Sequence, residues 1–420
     1  MIRGGALLYS MFLVLVISII SSSFVLLNYY NSAYVVQILK QEQLYQDVHS
    51  GINYALSYYE ELPKNTSTIV DLFEDEGHLV SLNKKSWGAF YLISATAKWR
   101  NKTASKTALV GTDFNTEDRI ALYLSDQNKP LSLTGKTKIT GICYLPKSGV
   151  KRAYIEGKSF VGNTLINGKK LNSNKNIPKI NEELIGEILA NYSLSNSIND
   201  SVIDYDVVFE QDSIVNTFKN KTLIVSSPFS IDLTNKTIIG NVIIKSDKNI
   251  YIRKGTIISE ALFYAKGIVL DKNVKGDMQL FAKDSIIIGE NCQLNYPSVL
   301  ALIVEGKSSF TQKIEVGKST SIKGAVFLYK EAYDRKHQAK ISLAIGSNLY
   351  GYAYSSELLE LKGEIIGGAV CKKLILKTPS SVYENHLMDA TINSMLLSEH
   401  FVGVSLTTDS KQQSIIKWLN

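Results

Sequence analysis

The run Ala6–Leu27, ALLYSMFLVLVISIISSSFVLL, constrains this chain more than any other stretch. Its 22 consecutive residues include no charge, no proline and no glycine. As a helix rising about 1.5 Å per residue it matches the ~30 Å hydrocarbon layer of a bilayer. Arg3 precedes the run, and the next basic residue is Lys40. That charge bias predicts a single-pass inner-membrane anchor bounded by Ala6 and Leu27. The N-terminus would be cytoplasmic and the body periplasmic or extracellular. The bilayer is then the first expected partner. A cleaved secretory signal is the competing reading. Its apolar core would span only about 7–15 residues, followed by small residues at the cut. Ser21–Ser23 is the single small-residue cluster available here.

The helical pattern continues past the apolar run. Val35, Ile38, Leu44, Val48, Ile52, Ala55 and Tyr59 keep one face apolar, with Lys40, Gln41, Gln43 and Asp47 opposite. Gly51 reads as a weak point, costing about 1 kcal/mol against Ala. Pro63 is expected to end the helix, because the residue before a proline is pushed out of helical geometry. One rod is therefore predicted from the apolar run to Leu62, a transmembrane segment that emerges as an amphipathic stalk.

A short basic tail, a glycine, a long apolar helix and an amphipathic continuation together resemble the N-terminal segment of type IV pilins and pseudopilins. Arg3-Gly4-Gly5-Ala6-Leu7-Leu8 is similar to their prepilin-peptidase site, where cleavage follows a glycine. The resemblance implies cleavage after Gly5, with Ala6 as the new first residue. It also implies protein partners met through the N-terminal helix. The chain departs from the pattern at the fifth mature position. Ser10 stands where most of the family carries a Glu that pairs with a neighbour's amino terminus. Minor pseudopilins at a filament tip can lack that Glu, so the departure points to a minor component and away from a major polymerising subunit.

Beyond the stalk the chain reads as mainly β. Residues 63–172 form a β-rich region, either pilin-like or a first solenoid domain. It opens on a connector with an acidic patch, Asp71, Glu74, Asp75 and Glu76, whose spacing lacks the oxygen-rich pattern of a calcium loop. From Trp87 the periodicity changes to two: WGAFYLISATAKW, KTALVG and IALYLS read as strands. The resemblance implies an antiparallel sheet packed on the stalk at this position. Residues 173–206 read as a helical linker or insert, with Ile180, Leu184, Ile185, Ile188 and Leu189 on one face.

Residues 207–377 are the most regular part. Apolar beats recur at Val242, Leu262, Leu280, Leu302, Val326, Ala353 and Val370 with a loose period near 20. Second short strands lie between them, among them IYIRKG, SIIIGEN and KIEVGKS. Short strands, turns of Gly, Lys, Asn and Asp, and a loose repeat predict a parallel β-solenoid whose stacked coils share one core. An antiparallel sandwich should show tight hairpin signals, and Asn167-Gly168 is the single Asn-Gly in the chain. Gly367-Gly368 reads as close backbone packing inside a strand. Residues 378–420 are expected to cap the stack, beginning with a helix over Tyr383–Ser398.

The net charge of +7 comes with forty Lys against six Arg, scattered at turns. Readers of nucleic acid favour Arg for bidentate contacts, so no nucleic-acid partner is expected. Cys143, Cys292 and Cys371 form no C-x-x-C and read as lone buried thiols. The five His show no ligand spacing, so no metal or cofactor is expected. Carboxylates of the repeats, such as Glu260, Asp271, Asp277, Asp284 and Glu305, sit at turns. The lone D-x-D, Asp204-Tyr205-Asp206, has no evident partner. Sugar-cleaving solenoids need paired carboxylates on one face. The expectation is thus a non-enzymatic, membrane-anchored envelope protein of secretion, pilus or adhesion type, with envelope polysaccharide a further partner class. The alternatives are an anchored carbohydrate-active or carbohydrate-binding β-helix, and a bactofilin-like scaffold polymerising through its solenoid.

Overall fold

A computed structural model describes residues 3–73, 78–114, 119–192, 200–208, 210–306, 309–332, 334–407 and 412–419. Glu74, Asp75 and Glu76 of the acidic patch lie outside them. The chain forms two compact units: Met1–Lys84 with Ile93–Thr107, and Lys85–Leu92 with Ala108–Asn420.

The first unit is led by helix α1, Arg3–Ser57. Strands β1 (Ser67–Asp71), β2 (Leu79–Trp87), β3 (Phe90–Trp99) and β4 (Lys102–Asp113) follow. They pair in chain order, and connections this short permit only antiparallel neighbours. Leu44, Val48, Ile52 and Ala55 of α1 are buried, as their spacing predicts. Gly51 lies on the same surface. A Cβ there would come within 2.8 Å of Val80 Cγ1 and 3.3 Å of Leu82 Cδ2. The residue that reads as a defect in the helix is what lets the helix lie close against the strands.

Two other expectations for the rod are corrected. The helix stops at Ser57, ahead of Pro63, and turns carry the chain to a buried Leu62. The Lys84 ammonium donates to the Tyr59 carbonyl at 2.6 Å and lies 4.3 Å from the centre of its ring, holding that turn. Asp47, expected on the solvent face, is buried, with His78 Nδ1 2.8 Å from its carboxylate. A residue brought in from the loop before β2 thus covers a polar position that helical spacing places outside.

The second unit is a parallel β-solenoid with three strand faces. Ile257–Leu270 shows the plan: it pairs successively with Thr237–Gly240, Val242–Ser246 and Asn249–Ile252. On the first face Ile214, Ile238, Ile258, Gly276, Leu294, Ile322, Leu349, Ile365, Ile392 and Ile139 stack in register. On the third, Ile231, Ile250, Ile268, Ile286, Ile314, Ile341, Leu359 and Leu374 do the same. Stiff β-branched side chains suit such ladders, since each fills the space over the one below without losing rotamers. On the second face the column is Val225, Ile244, Phe263, Leu280, Leu300, Val326, Ala353, Ala369, Leu122 and Cys143. The apolar beats mark this face, although the true register falls one or two residues from Val242, Leu262, Leu302 and Val370.

The second face is buried on both sides, which explains its unbroken apolar runs. Its outer side carries Tyr264, Phe281, Ala301, Phe327 and Tyr354, again in register. Helix α2, Glu182–Ala190, belongs to the same apolar cluster through Leu184, Ile185 and Ile188. The Asn181 side chain caps its first turn, accepting from Glu183 N at 3.1 Å and Leu184 N at 3.3 Å. Trp87, Ala89, Phe90 and Leu92 complete that cover. Gln279 fastens the turn between β2 and β3: its carbonyl accepts from Ala89 N at 2.8 Å and its amide donates to the Trp87 carbonyl at 3.1 Å.

Chain order and stacking order differ. The coil Glu364–Lys377 pairs with Ile120–Leu124, which pairs with Ile142–Leu145, which pairs with Lys170–Asn172. Residues 120–172 therefore extend the far end of the stack that residues 200–393 build. Thr391–Asn393 lies between Glu364–Lys377 and Lys138–Thr140. The helix expected over Tyr383–Ser398 is replaced by the strands Val382–Glu384, His386–Met388 and Thr391–Asn393. Left-handed backbone at Asn385 (φ 54°) and Asp389 (φ 54°) breaks any helix there, and coils on both sides offer strand partners. Gly367 and Gly368 do pack as expected: a Cβ on either would overlap the carbonyl oxygen of Gly351 or Ile120.

Candidate membrane segment and processing site

Helix α1 changes character along its length. Leu7, Leu8, Met11, Phe12, Leu13, Ile17, Ile20, Phe24 and Leu27 are all more than half exposed, and so are Tyr29, Tyr30 and Tyr34. Val35 and Ile38, expected to begin the packed face, are about half exposed as well. Burial starts at Leu44. Gly5–Ser57 is a helix long and apolar enough to cross a membrane, and none of its most apolar window is buried within the protein. Exposed apolar surface on this scale exceeds what a water-facing element of a soluble protein normally shows.

At the predicted processing point, a Cβ at Gly5 would meet nothing within 4 Å, so packing does not dictate glycine there. Ser10 donates its hydroxyl to the Leu7 carbonyl at 2.9 Å. That bond lets a polar side chain ride in an apolar helix without an orphaned donor. Serine at this position carries no charge to offer a neighbouring amino terminus.

Several carboxylates of the solenoid repeats are paired with cations, while Glu357 is buried with one carboxylate oxygen unpartnered and its carboxyl raised by burial. Lys417 Nζ lies 2.5 Å from Glu260 and 3.7 Å from Asp277. Arg253 bridges Asp232 at 2.8 Å and Asp271 at 3.4 Å, and Lys283 meets Glu305 at 2.8 Å. Burial raises the carboxyl of Asp284 above its ordinary range, against the pull of Lys266 and Lys283. Asp204 Oδ1 accepts from Asp206 N at 3.1 Å, so the D-x-D motif is a local turn. The three cysteines are free and buried. Burial pushes the Cys143 thiol up to about 12, which leaves it a poor nucleophile. Among the described residues no group of three His, Cys, Asp or Glu could hold a metal ion.

No family model matches the chain, and no curated protein matches it. Among solved structures it is similar to the crystal structure of the competence-associated pilin ComZ from Thermus thermophilus. The identity is 8%, covering 86% of this chain and 87% of that one, with a TM-score of 0.24. A superposition that loose does not establish a shared fold.

Proposed function

We propose that this chain is a membrane-anchored envelope protein of minor-pseudopilin type. In this reading α1 crosses the inner membrane and carries a β-solenoid body outside the cytoplasm, as part of a secretion, pilus or adhesion assembly. The observation that carries it is the division of a single helix: a leading half most of whose large apolar side chains are more than half exposed, and a trailing half packed through Leu44, Val48, Gly51 and Ile52. An antiparallel sheet following the stalk is what the pilin resemblance implies. Ser10 in place of a charged residue favours a minor component. N-terminal sequencing of the mature protein from a membrane fraction tests the reading. A chain beginning at Ala6 supports it. A chain cut near Ser23 would make the body a free secreted protein, and an uncut chain would leave a plain anchor.

A further inference from the structure

Where α1 leaves its apolar run, a hairpin lies beside it. The tip between β3 and β4, with Trp99 and Arg100, forms a shallow groove with Tyr29, Ser32, Ala33, Val36 and Gln37 of the helix. Arg100 takes a left-handed backbone conformation (φ 53°), and its guanidinium lies 4.7 Å from the Trp99 ring centre. Lys98, Arg100, Asn101 and Lys102 are exposed, while Trp99 is half-buried. The whole stretch from Gly88 to Thr112 holds four basic residues and no acidic one.

Ser32 and Val36 follow Leu27 by five and nine residues, a rise of about 8–14 Å along the helix. A headgroup layer adds roughly 5–8 Å beyond the hydrocarbon on each side, and Lys and Arg side chains extend several ångströms further toward charge. Tyr29, Tyr30 and Tyr34 on the helix and Trp99 on the hairpin are the residue types enriched at that depth. A tryptophan with an arginine against its ring and two lysines close by in the chain is chemically suited to phosphate and glycerol groups over an apolar floor.

We propose that the β3–β4 tip is a second membrane contact, in which Lys98, Arg100 and Lys102 bind anionic phospholipid headgroups with Trp99 seated at the interface. The proposal rests on α1 spanning the bilayer. It is tested with the full chain in vesicles of phosphatidylcholine, with and without phosphatidylglycerol, doped with a lipid nitroxide-labelled at its headgroup. Expected is tryptophan quenching that disappears in Trp99→Phe and increases with phosphatidylglycerol. The combined Lys98→Gln, Arg100→Gln and Lys102→Gln variant should lose most of that increase while staying carbonate-resistant. A carbonate-resistant protein whose quenching is unchanged by Trp99→Phe, or is indifferent to phosphatidylglycerol and to the triple variant, would overturn the second contact alone. Release of the unmodified chain by carbonate would overturn the spanning helix, and the contact with it.

Discussion

The solenoid interior and the leading half of α1 are built from the same side chains and meet opposite surroundings. Phe263, Leu280, Leu300 and Ile314 are fully buried, whereas Leu7, Phe12, Leu13 and Phe24 are each more than half exposed. Burying such a side chain contributes about 1.5–3 kcal/mol. In the solenoid that contribution comes from the neighbouring coils. In the leading half of α1 none of the described residues supplies it, which fits a helix that meets an apolar solvent. The comparison shows that apolarity alone does not distinguish core from anchor. The periodicity does: Ile, Leu and Val return at each coil of the solenoid, while the apolar run of α1 has no charged face, its polar residues being serines and a tyrosine.

The largest effect should come from charge in the leading helix. The double variant Leu13→Arg with Ile17→Arg should abolish carbonate-resistant membrane association, at about 2.5–3.5 kcal/mol per arginine near the centre of a span. Next is Phe263→Ala in the solenoid. It should lower stability by about 3–5 kcal/mol in denaturant titration and leave membrane partition unchanged. Gly51→Leu sharpens the boundary between the two regions, because its side chain must displace Val80 or Leu82. It should cost about 1–3 kcal/mol by overpacking, read as a lower melting temperature in detergent, although helix propensity alone predicts a gain. The smallest effect is Leu13→Ala, which should shift stability in detergent by less than about 0.5 kcal/mol. A shift as large as that of Leu280→Ala, about 2–5 kcal/mol, would mean that Leu13 has a protein partner.

The rod and the solenoid were legible because each is written in local periodicity. The stalk face at Leu44, Val48, Ile52 and Ala55 follows from helical spacing, and the second solenoid face follows from its apolar runs. The first face leaves no separate strand signal in each coil. Its strands, such as Thr237–Gly240 and Lys138–Thr140, are three or four residues long and share their glycines with the turns. The return of residues 120–172 to the far end of the stack was also hidden, since pairings such as Ala369 with Leu122 join distant segments and leave no local mark. At the membrane segment, Gly5, Ala6 and Ser10 were readable from order alone. The hairpin tip beside Tyr29 and Val36 was not, because Trp99 and Arg100 come near α1 through the folding of β3 and β4.

The most direct measurement compares thiol labelling at two positions of α1 in native membranes, against the low background of three buried cysteines. Leu13→Cys should resist a membrane-impermeant maleimide until detergent is added, while Tyr45→Cys, at a position 51% exposed, should label at once when the body's side of the membrane is accessible. Equal, immediate labelling of both in intact membranes would show that the leading half of α1 faces water.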